Sequence, residues 1–259
     1  MVSSDLDIPE RPISVITTCM NRLDDLKQTL PENLEDDYKN VEFVLLDYNS
    51  SDGMGFWVRD NLMDHIESGR LVYYRTECSP YFQPNHSRNV TFRVAAHDLI
   101  VNVDSDNFMN RGFLKRVNQC ASIAEEKILI VPENFLLPNS DRFLLKGRFG
   151  LYKKDIFELG GFDEDLDEGF SHDDVNFVFR AMMSRYQVVG FESVFTSRRI
   201  HTTDAQRVQH VRNTDFGHMK WKNAMITSRK LSRGIRCVNG ECWGEALIQR
   251  NFGEWYGSI

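Results

Sequence analysis

Leu99-Ile100-Val101-Asn102-Val103-Asp104-Ser105-Asp106-Asn107 sets the fold and the chemistry to look for in this chain. A short apolar run that ends in two carboxylates one residue apart predicts a buried strand delivering acidic oxygens to its carboxyl end. Open α/β sheets bind their ligands at that end. Hard divalent cations favour carboxylate oxygens and complete their shell with a substrate's phosphates, so the segment points to a metal-bound phosphorylated ligand. Taken alone, Asp104-Ser105-Asp106 is more often a solvated turn or a helix cap; the order of motifs around it tells the two apart.

Upstream, Ile13 to Thr18 predicts a strand, and Leu23, Leu26 and Leu30 recur at helical spacing before Pro31. Val41 to Leu46 predicts a second strand ending at Asp47. Asn49-Ser50-Ser51-Asp52-Gly53 then reads as a turn ahead of a helical stretch around Phe56 to Ile66. Leu71 to Tyr74 predicts a third strand, and Pro84 to Ala96 a helix leading into the strand that carries Asp104. This alternation predicts an α/β fold with a mostly parallel central sheet flanked by helices. Thr17, Thr18, Asp47 and Asp104 then fall at strand ends, where ligand groups belong.

The 259 residues, 41% hydrophobic and 27% charged, suffice for one large α/β domain, and no linker or repeat divides them. A net charge of -7 and a pI near 5.5 argue against a generally basic nucleic-acid-binding surface. The stretch Lys220, Lys222, Arg229, Lys230, Arg233 and Arg236 has no acid within it. It could face phosphates, an acidic acceptor or an anionic membrane, or form a solvated helical face. No apolar segment is long enough to span a bilayer, Met1 to Arg11 lacks a signal peptide's apolar core, and five irregularly spaced cysteines fit neither a disulfide framework nor a zinc site. The expected setting is cytoplasmic, with at most peripheral membrane contact.

Neither G-x-G-x-x-G nor G-x-x-x-x-G-K-[ST] follows the first strand, which excludes the dinucleotide and P-loop fingerprints. Asp47 could accept hydrogen bonds from a base or ribose, or initiate the turn that follows it; the residue type suits both roles.

In order, ISVITTCMNR (13–22), VLLDYNSSDG (44–53), NHSRNVTFRVA (85–95) and VNVDSDN (101–107) resemble the nucleotide-sugar half of a GT-A fold glycosyltransferase of the family 2 type. The block 147–180, GRFGLYKKDIFELGGFDEDLDEGFSHDDVNFVFR, resembles the acceptor side shared by family 2 and β-1,4-galactosyltransferase-like enzymes. The resemblance implies one GT-A domain over 1–215, with a nucleotide-sugar half at about 12–110 and an acceptor half at about 111–215. Residues 216–259 form an extension packed on it.

The resemblance also assigns roles. Asp106 and Asp104 would hold Mn2+ or Mg2+, with Asp104 shared with the ribose, and His201 would be a third ligand. Thr17, Thr18, Arg22, Asp47, Arg88 and Ser105 would bind the UDP-sugar, and Gly150, in Gly147-Arg148-Phe149-Gly150, would lie beside the donor sugar. Asp174 is the expected base and Asp173 its acceptor-orienting partner, although acids in a helix's first turn complement its dipole without catalysing anything. The expected activity is inverting, metal-dependent hexosyl transfer from a UDP-sugar to a hydroxyl, with a glycan or surface polysaccharide as acceptor. A modified nucleic-acid base or a protein is the alternative acceptor. A glycoside hydrolase, a nucleotidyltransferase and a silent nucleotide-sugar-binding module are the rivals.

Overall fold

The computed structural model describes residues 8–133 and 145–257; the expected domain 1–215 thus includes residues 1–7 and 134–144 outside the described ones. Its centre is a nine-stranded sheet in the order β7-β5-β6-β4-β1-β2-β3-β8-β9. The strands are β1 (Ile13–Cys19), β2 (Val41–Tyr48), β3 (Leu71–Thr76), β4 (Leu99–Val103), β5 (Ile128–Pro132), β6 (Arg148–Tyr152), β7 (Gln187–Phe191), β8 (Leu247–Arg250) and β9 (Trp255–Gly257). β1 to β4 pair in parallel, while β6 and β8 run against their neighbours. The central strands are nearly continuous apolar runs because helices cover both sheet faces.

One face packs under α1 (Leu23–Leu34), α2 (Met54–Asn61) and α5 (Phe113–Ala121). The other packs under α4 (Pro84–Val94), α6 (Lys153–Glu158) and α7 (Asp173–Met183). The expected helix around Phe56 to Ile66 divides at Leu62, whose φ of -126° and ψ of 16° depart from helical values and separate α2 from α3 (Met63–Glu67). Helix α1 continues through Pro31 instead of ending there. Buried Leu34 holds its last turn, and the Asn33 side chain, donating to the Asn107 carbonyl at 3.0 Å and accepting from the Met109 amide at 2.6 Å, ties that turn to the chain after β4. Tertiary contacts here outweigh the loss of one helical donor.

The segment before His201 holds a 3-10 turn at Ser193–Thr196 and, at Arg199, a single bridge to Asn107. The last part of the chain supplies α8 (Asp204–Arg207), α9 (Phe216–Ser232), which packs on α7, and the edge strands β8 and β9.

Candidate active site

The carboxyl ends of β1 and β4 open into a cavity of about 580 Å³, walled on its far side by the start of α7 and by residues 199–220. Asp104, Ser105 and Asp106 form one wall and Asp173 and Asp174 the facing one. Two acidic pairs far apart in sequence thus meet across one cleft.

Helix α4 brings them together. Its amino end is capped by a distant carboxylate, Asp167, which accepts from the backbone N–H groups of Asn85 and His86, each at 2.8 Å. One turn on, Asn89 exchanges hydrogen bonds with the Phe162 backbone, at 2.9 Å through its amide and 2.8 Å through its oxygen. These contacts fix the block 160–170 against α4 and orient Arg88 between the acidic pairs. Its guanidinium donates to Asp173 at 2.9 Å and lies 3.4 Å from Asp104. The two carboxylates raise the arginine's proton affinity further against the opposing effect of burial, so Arg88 is a permanent cation at the junction.

The Asp104–Asp106 loop is clamped from behind. Thr29 donates to the Ser105 carbonyl at 2.6 Å, Asn102 donates to Asp104 at 2.9 Å, and the Gly147 carbonyl accepts from the Asp104 amide at 2.9 Å. Gly147 has a φ of +69°, and a Cβ there would overlap the Asp104 carboxylate and the Asn107 amide. Only glycine meets both demands. Beneath the loop, fully buried Arg148 donates to the carbonyls of Phe108 and Arg198, while its Nη1 has no partner among the described residues. Burial lowers its pKa to about 10.

Burial and the neighbouring Asp104 push the Asp106 carboxyl above the ordinary carboxylate range, and Thr202 donates to it at 3.3 Å. Repulsion between two acids at one cavity is relieved by a bound cation, so Asp104 and Asp106 suit a hard divalent ion that draws its other ligands from water and phosphate. Among the described residues, no three His, Cys, Asp or Glu side chains converge as a metal site. His201 is exposed and is not part of the cleft wall; its neighbour Thr202 turns inward instead, bonding both Asp106 and Arg22.

Asp174 accepts from the Leu145 amide at 3.0 Å through Oδ2, and its Oδ1 has no protein donor among the described residues. Burial first, and then Asp173 beside it, push its carboxyl well above the usual range, opposed by Arg88. Asp173, pinned by Arg88, is the less available of the two as a proton acceptor.

Thr18, Arg22, Arg88 and Ser105 line the cleft. Three other expected residues are spent elsewhere. The Thr17 hydroxyl donates to the Val103 carbonyl at 2.8 Å, stitching β1 to β4. Asp47 is 0% exposed, and its carboxylate is taken up by Tyr73 and Arg75, each at 2.7 Å, and by the Ser50 amide at 2.8 Å, which is the turn-forming role. Gly150 sits inside β6, where a Cβ would meet Ile100, Val101 and Val117, remote from the cleft.

Lys146, Arg199 and Arg207 also line the cleft, as do Phe82 and Phe216, which form an aromatic wall with Phe170 of the loop before α7; apart from Phe170, none of these carries a signal in the sequence. Phe82 and Phe170 pack with centroids 6.1 Å apart. Their positions come from contacts such as that between the Phe82 amide and the His210 carbonyl, at 2.7 Å, which no local pattern encodes.

Residues 14–130 match the family described as Glycosyl transferase family 2. No curated protein sequence matches the chain significantly. Among solved structures, the mannosyltransferase PcManGT from Pyrobaculum calidifontis, in complex with GDP-Man and Mn2+, superposes with a TM-score of 0.60 at 18% identity. The match covers 79% of this chain but 64% of the mannosyltransferase. S. aureus TarS 1-349 in complex with UDP-GlcNAc gives 0.57 at 15% identity, over 85% of this chain and 73% of that one. GalNAc-T7 with UDP, GalNAc and Mn2+ gives 0.54 at 14%, over 68% and 41%. The architecture, a mostly parallel sheet flanked by helices, is that of the GT-A fold.

Proposed function

We propose that this chain is an inverting glycosyltransferase that moves a sugar from a UDP-sugar to a hydroxyl acceptor, in the first instance a glycan. The observation that carries this reading is Arg88, which joins Asp173 at 2.9 Å and Asp104 at 3.4 Å and so draws a donor-side and an acceptor-side acidic pair around one cavity. The match of residues 14–130 to Glycosyl transferase family 2, and similar structures that hold GDP-Man or UDP-GlcNAc, support a nucleotide-sugar donor.

Asp104 and Asp106 would hold Mn2+ or Mg2+; when bound, such an ion neutralises charge building on the departing diphosphate. Thr18, Arg22 and Ser105 border the donor. Asp174 accepts the acceptor's hydroxyl proton as that oxygen attacks the anomeric carbon, and the bond from carbon to diphosphate breaks with its electron pair leaving on phosphate. Asp173 and Arg88 orient the acceptor, and Arg88 counters the upward push of burial and Asp173 on the Asp174 carboxyl, so that it remains ionisable. The aromatic wall of Phe82, Phe170 and Phe216 gives sugar rings an apolar surface and excludes water that would otherwise hydrolyse the donor.

The test is a donor panel of UDP-sugars with GDP-mannose as competitor, with Mn2+ or Mg2+, scored by diphosphonucleoside release and by the acceptor's mass. Asp174→Asn should lower turnover on the order of a hundredfold or more while the protein stays folded. Near-normal transfer by that variant would remove the base assignment, and hydrolysis of simple glycosides without any nucleotide sugar would replace the reading with a hydrolase.

A further inference from the structure

We propose that the solvent face of α9 docks on an anionic membrane surface, beside the mouth of the cleft. From Phe216 to Gly240 there is no acidic residue, in a chain whose net charge is -7. Two of the six cations in this stretch are neutralised inward, Lys222 by Glu168 and Lys230 by Asp163 and Asp165. Lys220, Arg229, Arg233 and Arg236 are exposed and have no carboxylate partner among the described residues. The segregation is therefore directional: Lys222 and Lys230 turn to acids of the chain itself, while Lys220 and Arg229 on α9, with Arg233 at its C-cap and Arg236 just beyond, face solvent.

That same face carries apolar side chains. Trp221 and Met225 are 64% and 54% exposed, and with Ser228 and Ser232 they recur at i, i+4, i+7 and i+11 as one stripe. Lys220 flanks the stripe on one side and Arg229 on the other. The inward stripe of Met219, Asn223 and Thr227 is buried against the body, which fixes the outward one. Apolar side chains, a tryptophan among them, between flanking cations match the boundary between lipid headgroups and acyl chains. A single-stranded nucleic acid would instead call for several aromatics along a cationic groove, and this convex face has one. No described helix is long and apolar enough to cross a membrane, so the contact would be peripheral.

The first turns of α9 also border the cleft, through Phe216 and Lys220. Docking on this face sets the acceptor side of the cavity next to the bilayer. On the glycosyl-transfer reading, on which this last step rests, the acceptor hydroxyl then belongs to a glycan carried on a lipid.

The experiment is flotation of the full chain with vesicles of phosphatidylcholine alone and of phosphatidylcholine mixed with phosphatidylglycerol, at low and high salt, with UDP binding measured in parallel. Each unneutralised cation near an anionic surface contributes about fivefold in partitioning. Wild-type protein should float with the anionic vesicles only, and high salt should release it. Arg229→Gln with Arg233→Gln should partition about 25-fold more weakly, and Trp221→Ser about tenfold more weakly, with UDP binding unchanged in both because these residues lie outside the cleft. Absent or equal binding to the two vesicle types, or an undiminished double variant, overturns the membrane face even if UDP binds normally. Retention of RNA or an acidic polysaccharide without vesicle binding would also overturn it, in favour of a soluble polyanion. Vesicle binding without UDP binding would sink the enzymatic reading and leave the surface standing.

Discussion

Replacing Arg88 with glutamine should uncouple the two acidic pairs, and the structure sets both the size and the pH signature of the effect. The guanidinium is 11% exposed, Asp173 17% and Asp104 35%. Breaking a fully buried pair costs about 3–5 kcal/mol, whereas a surface pair contributes about 0–1 kcal/mol. The Asp173 contact lies toward the buried limit and the Asp104 contact toward the surface one, so Arg88→Gln should destabilise the fold by about 2–3 kcal/mol. That corresponds to a melting point lower by roughly 6 °C for a chain of this size.

The Asp174 carboxyl is already raised by burial and Asp173 and held down by Arg88, so loss of Arg88 moves it further up. A carboxyl raised on folding contributes stability that is fully present below its unfolded value and lost as pH rises through its folded value. The variant's extra stability loss from this carboxyl should therefore appear in the alkaline range, above the wild-type folded value of Asp174, and be absent in acid. Because the base acts deprotonated, the acid limb of kcat/KM should move to higher pH, with activity partly recovered in alkali. The assays are thermal melts and transfer kinetics across pH for both proteins. An unmoved acid limb together with a pH-independent stability loss would refute the reasoning.

Gly147→Ala should cost about 1–2 kcal/mol from its left-handed backbone. It should weaken Mn2+-dependent UDP binding more than tenfold, because the added Cβ displaces Asp104; calorimetry of UDP binding and a urea melt separate the two effects. Asp47→Asn leaves the Arg75 cation and the Tyr73 hydroxyl without their carboxylate, which predicts a stability loss of about 2–3 kcal/mol. UDP affinity should stay within about threefold of wild type, and a large affinity loss in a fully stable variant would return Asp47 to the nucleotide site.

The parallel strands β1 to β4 and both acidic pairs were legible in the sequence because each depends on local pattern. β1 to β4 are apolar runs bounded by polar turns, and Asp104, Asp106, Asp173 and Asp174 lie at a strand end and a helix start. What the sequence concealed depends on partners distant in the chain. Pro31 reads as a stop, yet Asn33 anchors the turn beyond it to Asn107 and Met109. Asp47 looks like a ligand group until Tyr73 and Arg75 arrive from the adjacent strand and consume it. The segment expected to deliver His201 does reach the cleft, but with Thr202 facing inward, one residue out of step. The motif 85–95 carries more structure than its resemblance implied, since Asn85, Arg88 and Asn89 each bond the acceptor-side block.

On the proposed reading, Asp104 and Asp106 join a divalent cation and a nucleoside diphosphate in the cleft shared with Asp174. Calorimetric titration of UDP into wild-type protein and into Asp106→Asn, each with and without Mn2+, tests it most directly. Mn2+ should tighten UDP binding to the wild type by tenfold or more, about 1.4 kcal/mol of coupling, and should leave the variant nearly unchanged. Equal UDP affinity in all four titrations would mean that Asp104 and Asp106 hold no cation that binds the diphosphate.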